Sequence, residues 1–295
     1  MKLLGRCALL ALCLALFIQT ASRPAPPRAP LQEGQAFVPG CTLPFDAIKL
    51  EHPIDHQCPL SGDEGTDGNA PHHLQNEAKN DFCATNATVP VSYNVFVALQ
   101  TAVNKMKGLP WGEGDKLPPD RSKLHDLKLT VAGSSLTVGE GTKVSFVGYV
   151  MEAQHDDVEK GEDVNCKISG NEFNDIHISL SAAPVPAGQL SDAARCKAIT
   201  AEISPHFRPA TWDKFDEAAN TKLFKTRPVR LTGTLLFDAA HHPCTKGTPS
   251  PGNPVRISVW EIHPIYAIDV CKNTTLARCK ATDDTAWTPF DQFKP

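Results

Sequence analysis

The sequence predicts a mainly β protein. Its carboxy-terminal half reads as a small closed β-barrel, preceded by a disulfide-stapled, largely irregular region with one amphipathic helix. Three observations carry this. Short β-branched and aromatic segments with period-two alternation recur from Lys143 onward, glycines sit inside two of them, and cysteines recur throughout the mature chain.

The amino terminus sets the compartment. Lys2 and Arg6 precede an apolar run from Ala8 to Ile18, and Thr20-Ala21-Ser22 follows with small residues at the positions a signal peptidase needs. Residues 1–22 are therefore expected to be a signal peptide, and the run is too short to cross a bilayer, which takes roughly 20 residues. A lipobox reading of Leu10 to Cys13 is disfavoured, because Leu12 is large and the apolar segment continues beyond Cys13. Residues 23–34 are proline-rich and read as an extended linker. The expected localisation is secreted or periplasmic, with no transmembrane segment.

Cysteine usage points the same way. Cys7 and Cys13 leave with the leader, and Cys41, Cys58, Cys83, Cys166, Cys196, Cys244, Cys271 and Cys279 remain. An even set in an exported chain without C-x-x-C favours disulfides over zinc thiolates; the pairing stays open.

Three further parts follow the leader and linker. Residues 35–130 form a cysteine-containing extension. Ser61 to Asn69 resembles a calcium loop only superficially, since Gly65 and Leu74 occupy ligand positions. Val95, Phe96, Leu99, Val103 and Met106 share one face of a helix over 92–106. Residues 131–272 hold strands at 143–151, 174–180, 198–204, 229–237 and 256–271, with a helix over 210–224. Pro264 is expected at a bulge or an edge. Residues 273–295 are a tail.

Three strands, a helix and two strands resemble the OB-fold, a five-stranded Greek-key barrel with a helix between its third and fourth strands. The resemblance covers roughly residues 140–272 and rests on element order. It implies that the second, third and fifth strands lie side by side. An immunoglobulin-like sandwich is the alternative, but it needs about seven strands and leaves the helix unexplained.

Period-two geometry turns Ile176, Ile178 and Leu180 inward, along with Ile199, Ala201 and Ile203. Asp175, His177, Glu202, Glu261 and His263 then share the outer face. Two imidazoles and three carboxylates suit a divalent metal or proton exchange; the plain alternative is a solvated strand face. Arg208 and Trp212, between the third strand and the helix, and Trp260 in the last strand are candidate ligand-binding residues, able to clamp an anion or stack on a ring. Packing of Trp212 into the core under Arg208 is the competing reading. His241 and His242 offer a further, poorer metal site, since adjacent side chains point apart. The acidic run from His155 to Asp163 lies in a loop that OB-folds use for ligands.

Removing Lys2 and Arg6 takes the net charge from −4 to −6, and no basic stripe is present, which argues against nucleic acid as a partner. No G-x-S-x-G, H-E-x-x-H or P-loop occurs. The expected function is a secreted, non-catalytic binding module for an oligosaccharide, peptide or protein, with no cofactor beyond a candidate divalent metal. The alternative is an extracellular metal-assisted hydrolase or phosphodiesterase. Convergence of the polar set in a concave site distinguishes the second from the first.

Overall fold

A computed structural model describes residues 52–63, 70–112, 114, 116–186 and 190–294. The expected leader, the linker and Cys41 lie outside the described residues.

In chain order the elements are α1 (Ala70–Lys79), β1 (Val89–Val91), α2 (Tyr93–Asn104), β2 (Leu127–Val131), β3 (Ser134–Val138), β4 (Lys143–His155) and β5 (Ile176–Ser181). Then come α3 (Asp192–Arg195), β6 (Ile199–Ile203), α4 (Ala218–Phe224), β7 (Val229–Phe237), β8 (Trp260–Cys271) and β9 (Trp287–Pro289). Strands β4, β5, β6, β8 and β7 are neighbours in that order, and β7 returns to pair with β4, closing a five-stranded mixed barrel. Only the β6–β8 pairing within this ring is parallel. The second, third and fifth barrel strands are thus adjacent, as in an OB-like fold.

Closure depends on β4 serving two neighbours. Lys143 to Gly148 pair with β7, and Tyr149 to His155 pair with β5. Gly148 sits at the handover, where a Cβ would lie 2.5 Å from the Ser181 carbonyl oxygen, so only glycine allows the approach. Gly233 plays the same part in β7, with a Cβ position 2.3 Å from the Pro264 carbonyl oxygen. The β7–β8 register shifts on either side of Gly233, giving Pro264 the bulge expected of it.

The barrel interior is filled by alternating side chains: Val144, Phe146 and Val150 from β4, Ile176, Ile178 and Leu180 from β5, and Leu231, Leu235, Trp260 and Ile262 opposite. Burying each such side chain contributes roughly 1.5–3 kcal/mol. The expected helix over 210–224 is divided: a 3-10 turn spans Trp212–Lys214, Glu217 is extended, and α4 begins at Ala218. Trp212, Phe215 and Phe224 enter the core, while Ala219 stays exposed. Phe290 of the tail meets both Phe215 and Phe224, at 5.4 and 5.7 Å between ring centroids.

Helix α2 forms as expected and buries Val95, Phe96, Leu99 and Val103 against the barrel. The β2–β3 hairpin was not foreseen. Its two-residue turn, Ala132 and Gly133, has both φ values positive, the turn that matches strand twist.

Three disulfides join described residues: Cys58–Cys166, Cys196–Cys244 and Cys271–Cys279. Cys83 is disulfide-bonded as well. Such bonding fits a non-cytoplasmic compartment. Among the described residues no helix is long and apolar enough to cross a membrane.

Candidate functional site

The polar set lands where strand alternation puts it. His177 of β5 is opposite Glu202 of β6, and Thr200 of β6 is opposite Glu261 of β8. Asp175 immediately precedes β5, so all five side chains share the outer face of three adjacent strands.

That face is covered rather than solvated, which corrects the expectation. Asp175 and His263 are 0% exposed, Glu261 is 1% and Glu202 is 2%; only His177, at 22%, reaches solvent. The cover is the segment before β1 together with the β4–β5 loop. Cys58–Cys166 ties the two, Asp55 accepts from His206 Nδ1 at 2.9 Å, and the Phe82 ring lies 3.6 Å from that of Phe207.

Hydrogen bonding fixes the state of His263. Its Nδ1 lies 2.7 Å from the Lys79 carbonyl oxygen, which only accepts, so Nδ1 carries a proton. Its Nε2 faces Asp175 Oδ2 at 3.0 Å and Glu202 Oε2 at 3.2 Å. Two carboxylate oxygens around one ring nitrogen require either a second proton or a shared cation. As an imidazolium, His263 is raised to about 10: burial opposes the charge, and the bonds to Asp175 and Glu202 overcome it. Glu202 is correspondingly held well below the usual carboxylate range by His177, Lys79 and His263, against the effect of burial.

A second group adjoins the first. His177 Nε2 is 2.9 Å from Glu162 Oε1, and its Nδ1 is 3.4 Å from Asp156 Oδ2 and 3.7 Å from Glu202 Oε1. Glu162 comes from the β4–β5 loop, where Asn165 Nδ2 donates to both Glu162 Oε2 and Asp175 Oδ1, each at 3.1 Å. Donor atoms of Glu162, Asp175 and His177, and those of Asp175, Glu202 and His263, each fall within 4.8 Å of one another. Asp175 belongs to both groups. A backbone carbonyl orienting the far nitrogen of a histidine is the usual support for a metal-binding imidazole, so the residues fit a divalent ion.

Glu261 stands apart from both groups. It is ion-paired with Arg256, whose Nη2 also donates to Asp238 Oδ2 at 2.6 Å. Burial, then Glu202, pushes the Glu261 carboxyl up to about 8 against the pull of Arg256. Asp238, just after β7, also takes His241 Nδ1 at 2.7 Å and Gln75 Nε2 at 3.2 Å. The Lys79 ammonium lies in the field of Glu202, Asp238, Glu261 and Glu162, which raises its pKa despite burial.

Of these groups, Lys79, Glu162, His177, Glu202, Asp238 and Glu261 line a cavity of about 690 Å³, whereas the fully buried Asp175 and His263 do not. Its floor is β5 and β6, through His177, Ser179, Thr200 and Glu202. One side is the β4–β5 loop, through Asp156, Asp157 and Glu162; the other is the β7–β8 loop, through Asp238, His241 and Asn253. Helix α1 contributes His72, Gln75 and Lys79 to the lining.

The other expected ligand-binding residues lie elsewhere. Trp212 and Trp260 are in the barrel core, with Trp260 5.3 Å from the Phe237 ring. Arg208 is buried and donates to the Asn174 and Asn171 carbonyl oxygens at 2.7 Å each, with Asp213 at 2.6 Å. It braces the end of the β4–β5 loop. The paired histidines diverge as expected: His241 faces the cavity and His242 packs on Trp111. Sequence reasoning missed Glu162, Asp238 and Lys79. Glu162 was inside the acidic run already noted, and Asp238 precedes His241 by three residues. Lys79 had no local signal.

No family model matches the chain, and no curated protein was found to be similar to it.

Proposed function

We propose that the protein is a metal-assisted hydrolase working outside the cytoplasm, with the 690 Å³ cavity as its substrate pocket. The observation that carries the reading is convergence: two imidazoles and three carboxylates, drawn from three strands, the residue before one of them and a loop, form two adjoining groups beside one concave space. Scattered polar residues on a convex sheet would have argued for a binding face alone.

His263 Nε2, Asp175 and Glu202 would hold the ion, with His177 and Glu162 beside them. A divalent ion there supplies a nucleophilic water and neutralises developing charge. The chain's own groups do the rest. The Lys79 carbonyl orients His263, Asn165 fixes two carboxylates, and the Lys79 ammonium offers a positive charge to a polar substrate. The pocket's position adds support by fold analogy, since OB-like barrels take ligands on the second and third strands between these same two loops.

A second reading keeps the pocket and drops the chemistry: an exported binding module for a hydroxyl-rich or peptide ligand. The complete burial of Asp175 and His263 favours it, because a protonated His263 hydrogen-bonds Asp175 and ion-pairs with Glu202 on its own.

The test is calorimetric titration of the mature protein with Mn²⁺ and Zn²⁺, then assay against bis(p-nitrophenyl) phosphate, p-nitrophenyl acetate and p-nitrophenyl glycosides. The hydrolase reading expects binding of an ion, lost in Glu202→Gln, and turnover dependent on it. Turnover of no substrate, by the protein with or without metal, leaves the binding module.

A further inference from the structure

We propose that His241 is the proton-transfer residue of this pocket, positioned by Asp238; the inference rests on the hydrolase reading. The argument begins with the ring's two nitrogens. Nδ1 lies 2.7 Å from Asp238 Oδ2. Asp238 is 1% exposed and also accepts from Arg256 and Gln75, so it is an ionised acceptor and Nδ1 must carry the proton. Nε2, at the opposite edge of the ring, is then the basic nitrogen. The side chain is 39% exposed and lies on the cavity wall.

A buried carboxylate that fixes the tautomer of an accessible imidazole is the arrangement a general base requires. It also differs from the other histidines of the site. His177 and His263 have carboxylates within ion-pairing distance of Nε2, whereas the carboxylate holding His241 is on Nδ1 alone. His241 comes from the β7–β8 loop and lines the same cavity as Glu162 of the β4–β5 loop. The charged groups around it are Asp238 on its own loop, Arg256 just before β8, Glu261 of β8, and His72 and Lys79 of α1.

The step balances without an oxidant. His241 Nε2 takes a proton from water as the water oxygen bonds to the electrophilic centre of the substrate. The bond to the leaving atom then breaks, its electron pair stays with that atom, and His241 returns the proton there. One water is added across the scissile bond.

The experiment uses the mature protein and whichever p-nitrophenyl substrate the wild type turns over fastest. His241→Ala should keep its Mn²⁺ affinity and lose roughly 10²- to 10⁴-fold in kcat. The acid limb of the pH–rate profile should disappear with the imidazole, and added free imidazole should restore part of the rate. Activity within threefold of wild type overturns the inference and leaves the metal reading standing. A lower rate with the acid limb intact and no imidazole rescue overturns it too, by assigning His241 a structural part. Absence of turnover by the wild type on every probe overturns both readings together.

Discussion

Replacing Cys58 and Cys166 by alanine should both destabilise the protein and loosen its site. The bond joins residues 108 apart in sequence. Loop-closure entropy for a ring of that size gives about 4.8 kcal/mol at 25 °C. The same relation gives about 2.5 kcal/mol for Cys271–Cys279, whose partners are 8 apart. The larger bridge also has a local consequence. Cys166 follows Asn165, the residue that donates to Glu162 and Asp175, and Asp63 N donates to the Asp163 carbonyl oxygen at 2.7 Å in the same region. Freed of the bridge, this loop loses its covalent tie to the covering segment. Urea unfolding at neutral pH, followed by tryptophan fluorescence, measures the stability of each double variant, and Mn²⁺ titration reads the site. The expected order is a loss of about 4–5 kcal/mol with weakened Mn²⁺ binding for Cys58/Cys166, and about half that loss with binding intact for Cys271/Cys279. Equal losses, or unchanged Mn²⁺ affinity in the first variant, would refute the claim that this bridge holds the site together.

Two further outcomes follow from burial. Trp260→Ala should cost roughly 3–5 kcal/mol, because the ring is fully enclosed beside Phe237. Trp260→Phe should leave Mn²⁺ affinity within twofold, since the residue faces the core; a large loss of affinity without loss of stability would restore it as a ligand contact. The three tyrosines, Tyr93, Tyr149 and Tyr266, all have raised pKa values, chiefly through burial. A phenol raised in the folded state stabilises the protein below its unfolded value near 10, and that contribution is lost as pH climbs through the folded value. Absorbance titration should therefore show less than half-ionised tyrosine at pH 10, with Tyr266 last; half-ionisation at pH 10 in the native protein contradicts it.

Much of the barrel was legible because its cause is local. The alternation of β5, the run VRLTGTLLF of β7 and the glycines at 148 and 233 are properties of short segments, and the side-by-side order of β5, β6 and β8 followed from element order. The five polar residues were legible for the same reason, since facing is set by period two. Their burial was not. Helix α1 is polar in sequence and gives no apolar stripe, yet it packs through Gln75 and Lys79, whose partners Asp238 and His263 are distant in sequence, and through Asn76, which donates to the Ser61 carbonyl oxygen. A segment that covers a charged face by hydrogen bonds leaves no hydrophobic signature. The β2–β3 hairpin escaped because its turn, Ala-Gly, is a weaker signal than Asn-Gly. Trp260 faces the core by strand alternation, and Trp212 is carried into it by the 3-10 turn before α4, so neither ring is a ligand platform.

The central claim is that the covered face of β5, β6 and β8 is a metal centre. Anomalous diffraction from crystals of the mature protein grown with Zn²⁺ tests it most directly. The account expects a peak about 2.0–2.1 Å from His263 Nε2, with carboxylate oxygens of Asp175 and Glu202 at about 2.0–2.2 Å. A map with no peak there, and His263 still bridging the two carboxylates on its own, would contradict it.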